Sequence, residues 1–142
     1  MCTHNNTMDQ IRFMFGPDAI IRFRNEYDFL SNFCGGEVVI DGVRYRTAEH
    51  AYQAMKTDNP YDINKIIDTV HPRDAKMMGR TVKARDGFFL FDNRTKAMRR
   101  VIRTKFRFGT DNASALMGTG NRVLVNTSLS GDTYFGVQQH RY

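Results

Sequence analysis

Glu49, Tyr52, Gln53 and Lys56 bring a carboxylate, a phenol, an amide and an ammonium within two turns of chain. The stretch around them, Thr47 to Lys56, reads as a helix. Thr47 can N-cap it, because a threonine hydroxyl accepts a hydrogen bond from a free backbone N–H of the first turn. Ala48, Ala51, Ala54 and Met55 favour the helical state. At about 100° per residue, Ala48, Ala51 and Met55 fall on one side and the four polar residues gather on the other. The small side suits close packing. The polar side could be a solvated outer face, which spacing alone favours, or a reactive one.

A second place where chemistry could reside is the stretch Asp92 to Phe108, expected to be the longest helix. Met98, Val101, Ile102 and Phe106 form its apolar sector. Lys96, Arg99, Arg100, Arg103 and Arg107 occupy the opposite side, either as a solvated face or as a contact for a phosphate backbone, DNA or RNA. Few aromatic residues interleave with them, so base stacking is not suggested there. Lys105 breaks the partition by pointing from the middle of the apolar sector, and Arg94 points the same way near the helix start. A buried ammonium is costly unless compensated, so Lys105 must snorkel, meet a carboxylate or line an anion site.

The elements that must position these residues follow from the rest of the chain. At 142 residues the chain is long enough to bury a core unaided. Its apolar fraction is ordinary, and no apolar run approaches the roughly 20 residues that span a bilayer. The first ten residues lack the segments of a signal peptide, which points to a cytoplasmic protein with no membrane partner. Cys2 and Cys34 make no pair with a CxxC spacing and are expected to be reduced. His4, His50, His71 and His140 are scattered, so no metal site is expected. The net charge of +6 favours anionic partners without choosing among them.

Residues 1–15 read as a mobile N-terminal arm and residues 16–142 as one domain. Ala19 to Arg24 reads as a strand after the Gly16-Pro17-Asp18 turn, and Asn25 to Asn32 as a loop. Glu37 to Ile40 and Val43 to Tyr45 flank Asp41-Gly42, a pair suited to a type I′ hairpin turn. Pro60 suits the first turn of a helix with an apolar stripe of Ile63, Ile66, Ile67 and Val70. Pro72 suits the start of a short helix over Asp74–Met78, ending at Gly79-Arg80. A turn at Arg85–Gly87 leads to the aromatic group Phe88, Phe89 and Phe91. Asp111 can cap a helix over Ala113–Met117. Arg122 to Val125 reads as a strand, Gly131-Asp132 as a turn, and Tyr134 to Val137 as a final strand or bend. Gly118-Thr119-Gly120 is no phosphate loop, because it follows a helix and has no Lys-Ser/Thr after it. The fold class is α+β: a small hairpin-based antiparallel sheet with several packed helices.

Several of these segments, in order, resemble the NADAR family, also called YbiA-like. They are Phe29-Leu30-Ser31-Asn32-Phe33, Ile40-Asp41-Gly42-x-x-Tyr45 and Thr47-x-Glu49-His50-x-x-Gln53-Ala54-x-Lys56. Next come Pro72-x-x-Ala75-Lys76-x-x-Gly79-Arg80 and Lys105-Phe106, then Thr119-Gly120, Leu124-Val125 and Asp132-x-x-Phe135-Gly136. The likeness runs from about Phe23 to Val137.

The resemblance implies hydrolysis of an N-glycosidic bond to ribose, with no cofactor. One branch is similar to enzymes that remove ADP-ribose from guanine in nucleic acid, and another to enzymes that destroy phosphorylated ribosylamino intermediates of riboflavin synthesis. By matching position, Glu49 corresponds to the catalytic glutamate and Asp132 to the acidic residue of a DxxWG motif. Asn32, Gln53, Arg80 and Lys105 match polar positions around the ligand, and Tyr52 or Phe135 would stack on the leaving base. Three departures stand beside the expected pocket. The family's tryptophan before Gly136 is Phe135, a glutamate after Leu-Val is Asn126, and the second glycine of WGxG is Gln138. They bear on substrate identity more than on reaction class. The expected substrate is ADP-ribosyl guanine; the alternatives are a phosphorylated ribosylamine, or binding of ADP-ribose or nucleic acid without catalysis.

Overall fold

The computed structural model describes residues 7–128, 132 and 134–138. They form two compact groups, one of residues 32–116 and one of the described residues on either side, from 7 to 31 and from 117 onward.

The first group is built around a short, wholly buried helix. Asp41 and Gly42 take φ of 51° and 78°, the left-handed pair that a tight hairpin turn requires. They join β1 (Val38–Ile40) to β2 (Val43–Tyr45) in antiparallel register, Ile40 opposite Val43. Thr47 then caps α2 (Ala48–Ala54), its hydroxyl accepting from the His50 N–H. Every residue of α2 is buried. It packs against both strands and against α3 (Pro60–Asp68), α4 (Pro72–Thr81) and α5 (Asn93–Lys105). Alanines at 48, 51 and 54 allow that crowding, because they present little bulk to several neighbours at once.

Three expectations change here. Helix α4 does not stop at Gly79-Arg80 but runs on to Thr81. Gly79 is there for packing, since a Cβ on it would overlap the Gln53 side chain. Helix α5 ends at Lys105 rather than near Phe108, and the chain turns through Arg107–Thr110. The stripe expected on α3 narrows to Ile66, which is fully buried, whereas Val70 lies beyond the helix and is exposed. Of the aromatic group, Phe88 is buried while Phe89 and Phe91 are exposed.

In the second group, α1 (Met8–Phe15) replaces much of the expected arm, because Thr7 and Gln10 form a reciprocal capping box. Its Ile11 joins Ala19, Ile21 and Val125 in a core flanked by Met8 and Val137. Residues 1–6, including Cys2 and His4, lie outside the described residues, as do Gly131 and His140. The strands expected over Ala19–Arg24 and Arg122–Val125 contract to one parallel bridge, Ile20 to Leu124. Two hydrogen bonds of 2.8 Å hold it, Ile20 N–H to Val123 and Val125 N–H to Ile20. Arg22 and Arg24 interrupt the apolar run, and the chain winds into a 3₁₀ helix over Asn25–Leu30 where a loop was expected. A two-residue parallel pair, β3 (Thr127–Ser128) with β4 (Val137–Gln138), closes this group. Helix α6 (Asp111–Gly118) starts at Asp111 itself. The fold is α+β, as its sequence pattern indicates.

Candidate functional site

The polar side of α2 is not solvated. Glu49 is 7 % exposed and Gln53 3 %. A carboxylate in such a place must be held by donors or it is costly. The Gln53 amide supplies one, donating from Nε2 to Glu49 Oε1 at 2.6 Å across one helical turn. This fixes the amide's orientation and turns Gln53 Oε1 towards Gly79. That oxygen accepts no hydrogen bond from any described residue.

The backbone of Glu49 is held as well. Its N–H donates at 3.0 Å to the carbonyl of Asn32, in the loop that precedes β1. The Asn32 side chain points elsewhere, its Nδ2 lying 3.4 Å from the Met98 sulfur on α5.

One cation, Lys56, interacts with this carboxylate, and Arg80 and Lys76 in turn repel Lys56. Burial pushes the Lys56 ammonium below its ordinary pKa; Glu49 opposes the shift, and Arg80 and Lys76 add to it. Lys56 also lies over the Tyr52 ring, 5.5 Å from its centroid. Lys76 and Arg80 sit one turn apart on α4, and Lys76 faces the Phe33 ring at 5.9 Å. One buried acid with several cations suits a ligand that carries negative charge yet develops positive charge at its reacting carbon. Tyr52 is buried, with Phe88 near one side of its ring at 6.2 Å and Lys56 close by. This is the setting of a ring that shapes the site rather than of an open stacking platform.

His50, fully buried, keeps α2 in place. Its Nε2 donates to the Thr69 carbonyl at 3.0 Å and its Nδ1 accepts from the Thr47 hydroxyl at 2.8 Å, the tautomer that satisfies both neighbours. Burial holds its pKa below the ordinary value, with the Thr69 bond opposing and Arg46 adding to the effect.

Lys105 does not snorkel. It is 2 % exposed, and its Nζ donates to the Cys34 carbonyl at 2.9 Å. Gly35 makes room for it: a Cβ there would come within 2.6 Å of Lys105 Cε. Asn112 grips the same loop by donating to the Gly35 carbonyl at 2.7 Å. Lys105 thus ties α5 to the loop whose Asn32 carbonyl receives the Glu49 N–H.

Asp132 and Phe135 belong to the other compact group. Asp132 Oδ1 accepts from the N–H groups of Tyr134 and Phe135, at 3.0 and 3.1 Å, so it shapes the turn it occupies. The half-buried Phe135 ring meets Tyr134 edge to face, 4.6 Å between centroids. Asn126 donates from Nδ2 to the Phe135 carbonyl at 2.8 Å, which a glutamate in its place could not do as a carboxylate. Gly136 is required here, since a Cβ would fall 2.8 Å from the Asn126 carbonyl oxygen.

Of the residues singled out from sequence, Glu49, Tyr52, Gln53 and Arg80 gather about α2. Asn32 and Lys105 reach that neighbourhood through the loop, and Asp132 and Phe135 share a turn. Lys56 was placed on the polar face without a ligand role, and Lys76 and Gly79 were not singled out as site residues. The spacing of Lys76 and Arg80, one turn apart after a proline-started helix, was the available signal. Among the described residues no cluster of three His, Cys, Asp or Glu is placed to hold a metal ion.

This combination of fold and acid-centred site defines a recognisable class. The NADAR domain model matches residues 21–142, so the match runs through both groups, and the chain belongs to the NADAR family. An N-glycosidase of Nostoc punctiforme is 32 % identical over 116 residues, covering 78 % of this chain and 72 % of that protein. The N-glycosidase YbiA of Escherichia coli is 28 % identical over 126 residues, covering 87 % and 78 %. The solution structure of E. coli YbiA superposes with a TM-score of 0.70, covering 84 % of this chain and 72 % of that one. A riboflavin biosynthesis protein of Vibrio vulnificus is 27 % identical over 132 residues; the match takes in 93 % of this chain but about a third, 34 %, of that longer protein. No helix among the described residues is long and apolar enough to cross a membrane.

Proposed function

We propose that this protein is an N-glycosidase that hydrolyses the bond between ribose and a nitrogen base, and that its substrate is ADP-ribosylated guanine in nucleic acid or nucleotide. The observation that carries the reading is the buried Glu49 carboxylate, held by Gln53 and electrostatically coupled to Lys56. Cleavage of a glycosidic bond passes through an oxocarbenium-like sugar. A fixed carboxylate stabilises that centre and accepts a proton from the attacking water. The water oxygen bonds to the anomeric carbon as the carbon–nitrogen bond breaks. The electron pair leaves on the base nitrogen, and the proton carried by Glu49 returns to it.

In this reading Lys56 and Arg80 neutralise the diphosphate, Gln53 and the Asn32 carbonyl hold Glu49, and Lys105 holds the loop that carries Asn32. Tyr52 holds Lys56. No cofactor takes part. The name of the Vibrio relative favours a second substrate, a phosphorylated ribosylamine, acted on by the same carboxylate.

The test is release of free sugar from guanine-ADP-ribosylated DNA, a riboflavin-pathway ribosylamine phosphate and NAD, each incubated with the protein. Release from the first supports the proposal. Release from the second alone transfers the activity to the other substrate, and release from none refutes the hydrolase reading.

A further inference from the structure

The outer face of α5 differs in kind from the α2 site. Lys96, Arg99, Arg100, Arg103 and Arg107 line one open groove of about 570 Å³ with Val39, Ile40, Asp41 and Thr104. Its one carboxylate, Asp41, is engaged by Arg100 at 2.6 Å, and Lys96 reaches back to Asp92 at 3.2 Å. Arg99, Arg103 and Arg107 enter no ion pair with any described residue. Arg99 and Arg103 lie one turn apart on α5, about 6 Å along its axis, and Arg107 follows the helix end on the same groove.

We propose that this groove is a docking surface for the phosphodiester backbone of a nucleic-acid strand. Several guanidiniums along one groove fit a polymer that carries one charge per repeat, and each guanidinium fork matches phosphate oxygens. Of the two apolar residues in the lining, Ile40 is buried and Val39 alone is exposed. A membrane surface would instead require apolar side chains projecting beyond the charges. No aromatic residue lines the groove, so binding is independent of base sequence and driven by counterion release.

The surface is independent of the chemistry at Glu49. If the N-glycosidase reading holds, the groove gives that site a reason to prefer nucleic-acid-linked adducts over free nucleotides.

The experiment uses the full chain and fluorescein-labelled oligothymidylate carrying no ADP-ribose, read by anisotropy across a salt series. The wild type should bind more weakly as salt rises. The triple variant R99Q/R103Q/R107Q should lose at least about tenfold in affinity at low salt, and its log–log salt slope should fall by about 2, at roughly 0.7 per phosphate released. The charge-preserving R99K/R103K/R107K should retain most of the binding, which separates lost charge from lost folding. Unchanged affinity and slope in the glutamine variant overturn the proposal. Equal wild-type affinity for polyglutamate, or capture of phosphatidylserine vesicles without oligonucleotide binding, overturns it too. Glu49→Gln should bind the oligonucleotide like the wild type while releasing no sugar, so failure of the groove and failure of the N-glycosidase reading give different results.

Discussion

Helices α2 and α5 each carry a polar face, and the two faces have opposite fates. On α2 the acid and amide are buried and bonded to one another, with cations gathered nearby from α4 and from the helix end. On α5 four outer cations, with Arg107 just beyond the helix end, line an open groove. The difference lies in the neighbours. Helix α2 is enclosed by three helices and two strands, whereas α5 packs through Ala97, Val101 and Lys105 and leaves its other side to water. A charge changes the chemistry of its surroundings when water cannot screen it. The same residue types on an exposed face act through long-range attraction, which salt weakens.

That contrast can be broken at several points. The largest structural effect is expected at Gly79, where alanine would press a methyl group into the Gln53 carboxamide. Gly79→Ala should destabilise the protein by about 1–3 kcal/mol, as overpacking does, and should reduce turnover by loosening the Gln53–Glu49 bond. Denaturant unfolding with a parallel assay checks both; a variant as stable and active as the wild type would show that α2 and α4 are not tightly apposed.

Lys105 comes next. Lys105→Met should weaken ligand binding by about tenfold, near 1.4 kcal/mol, with little change in the chemical step, as calorimetry and single-turnover rates would reveal. Intact binding with raised stability would mean that Lys105 is a costly buried stem and nothing more.

A smaller effect concerns pH. His50 is held neutral, with its pKa below the ordinary value. Its contribution to stability is therefore complete above the unfolded-state pKa of about 6.5 and is lost as pH falls through the lower folded value. Unfolding free energy should decline on acidification by at most about 1.4 kcal/mol per pH unit from this one group. His50→Gln should flatten that part of the profile; superimposable wild-type and variant profiles would contradict it. The smallest effect belongs to the exposed face. Arg99→Gln or Arg103→Gln alone should change stability by no more than about 0.5 kcal/mol, and a thermal melt suffices to check.

Local chemistry was legible in the sequence wherever it acted alone. Thr47 as a cap, Asp41-Gly42 as a turn and the prolines at helix starts each fix backbone within a few residues, and each appears as expected. What depends on distant neighbours was not legible. Periodicity divided α2 correctly into two faces but could not show that both are enclosed. Gly79 resembled a helix stop because its reason lies on another helix. The strand patterns near Ile20 and Leu124 were real, yet only one bridge forms. At Lys105 the anomaly was visible and its resolution was not, because the Cys34 carbonyl comes from a loop 71 positions away in sequence. Family resemblance directed attention to Glu49; the structure added the Gln53 bond and the coupling to Lys56.

The central claim is that the enclosed carboxylate of α2 performs the chemistry. Its most direct test is Glu49→Gln, which keeps size and packing while removing the charge. Single-turnover sugar release from guanine-ADP-ribosylated DNA should fall by at least about a thousandfold, some 4 kcal/mol in transition-state stabilisation, with ligand affinity retained. Near-normal turnover in that variant would remove Glu49 from the mechanism.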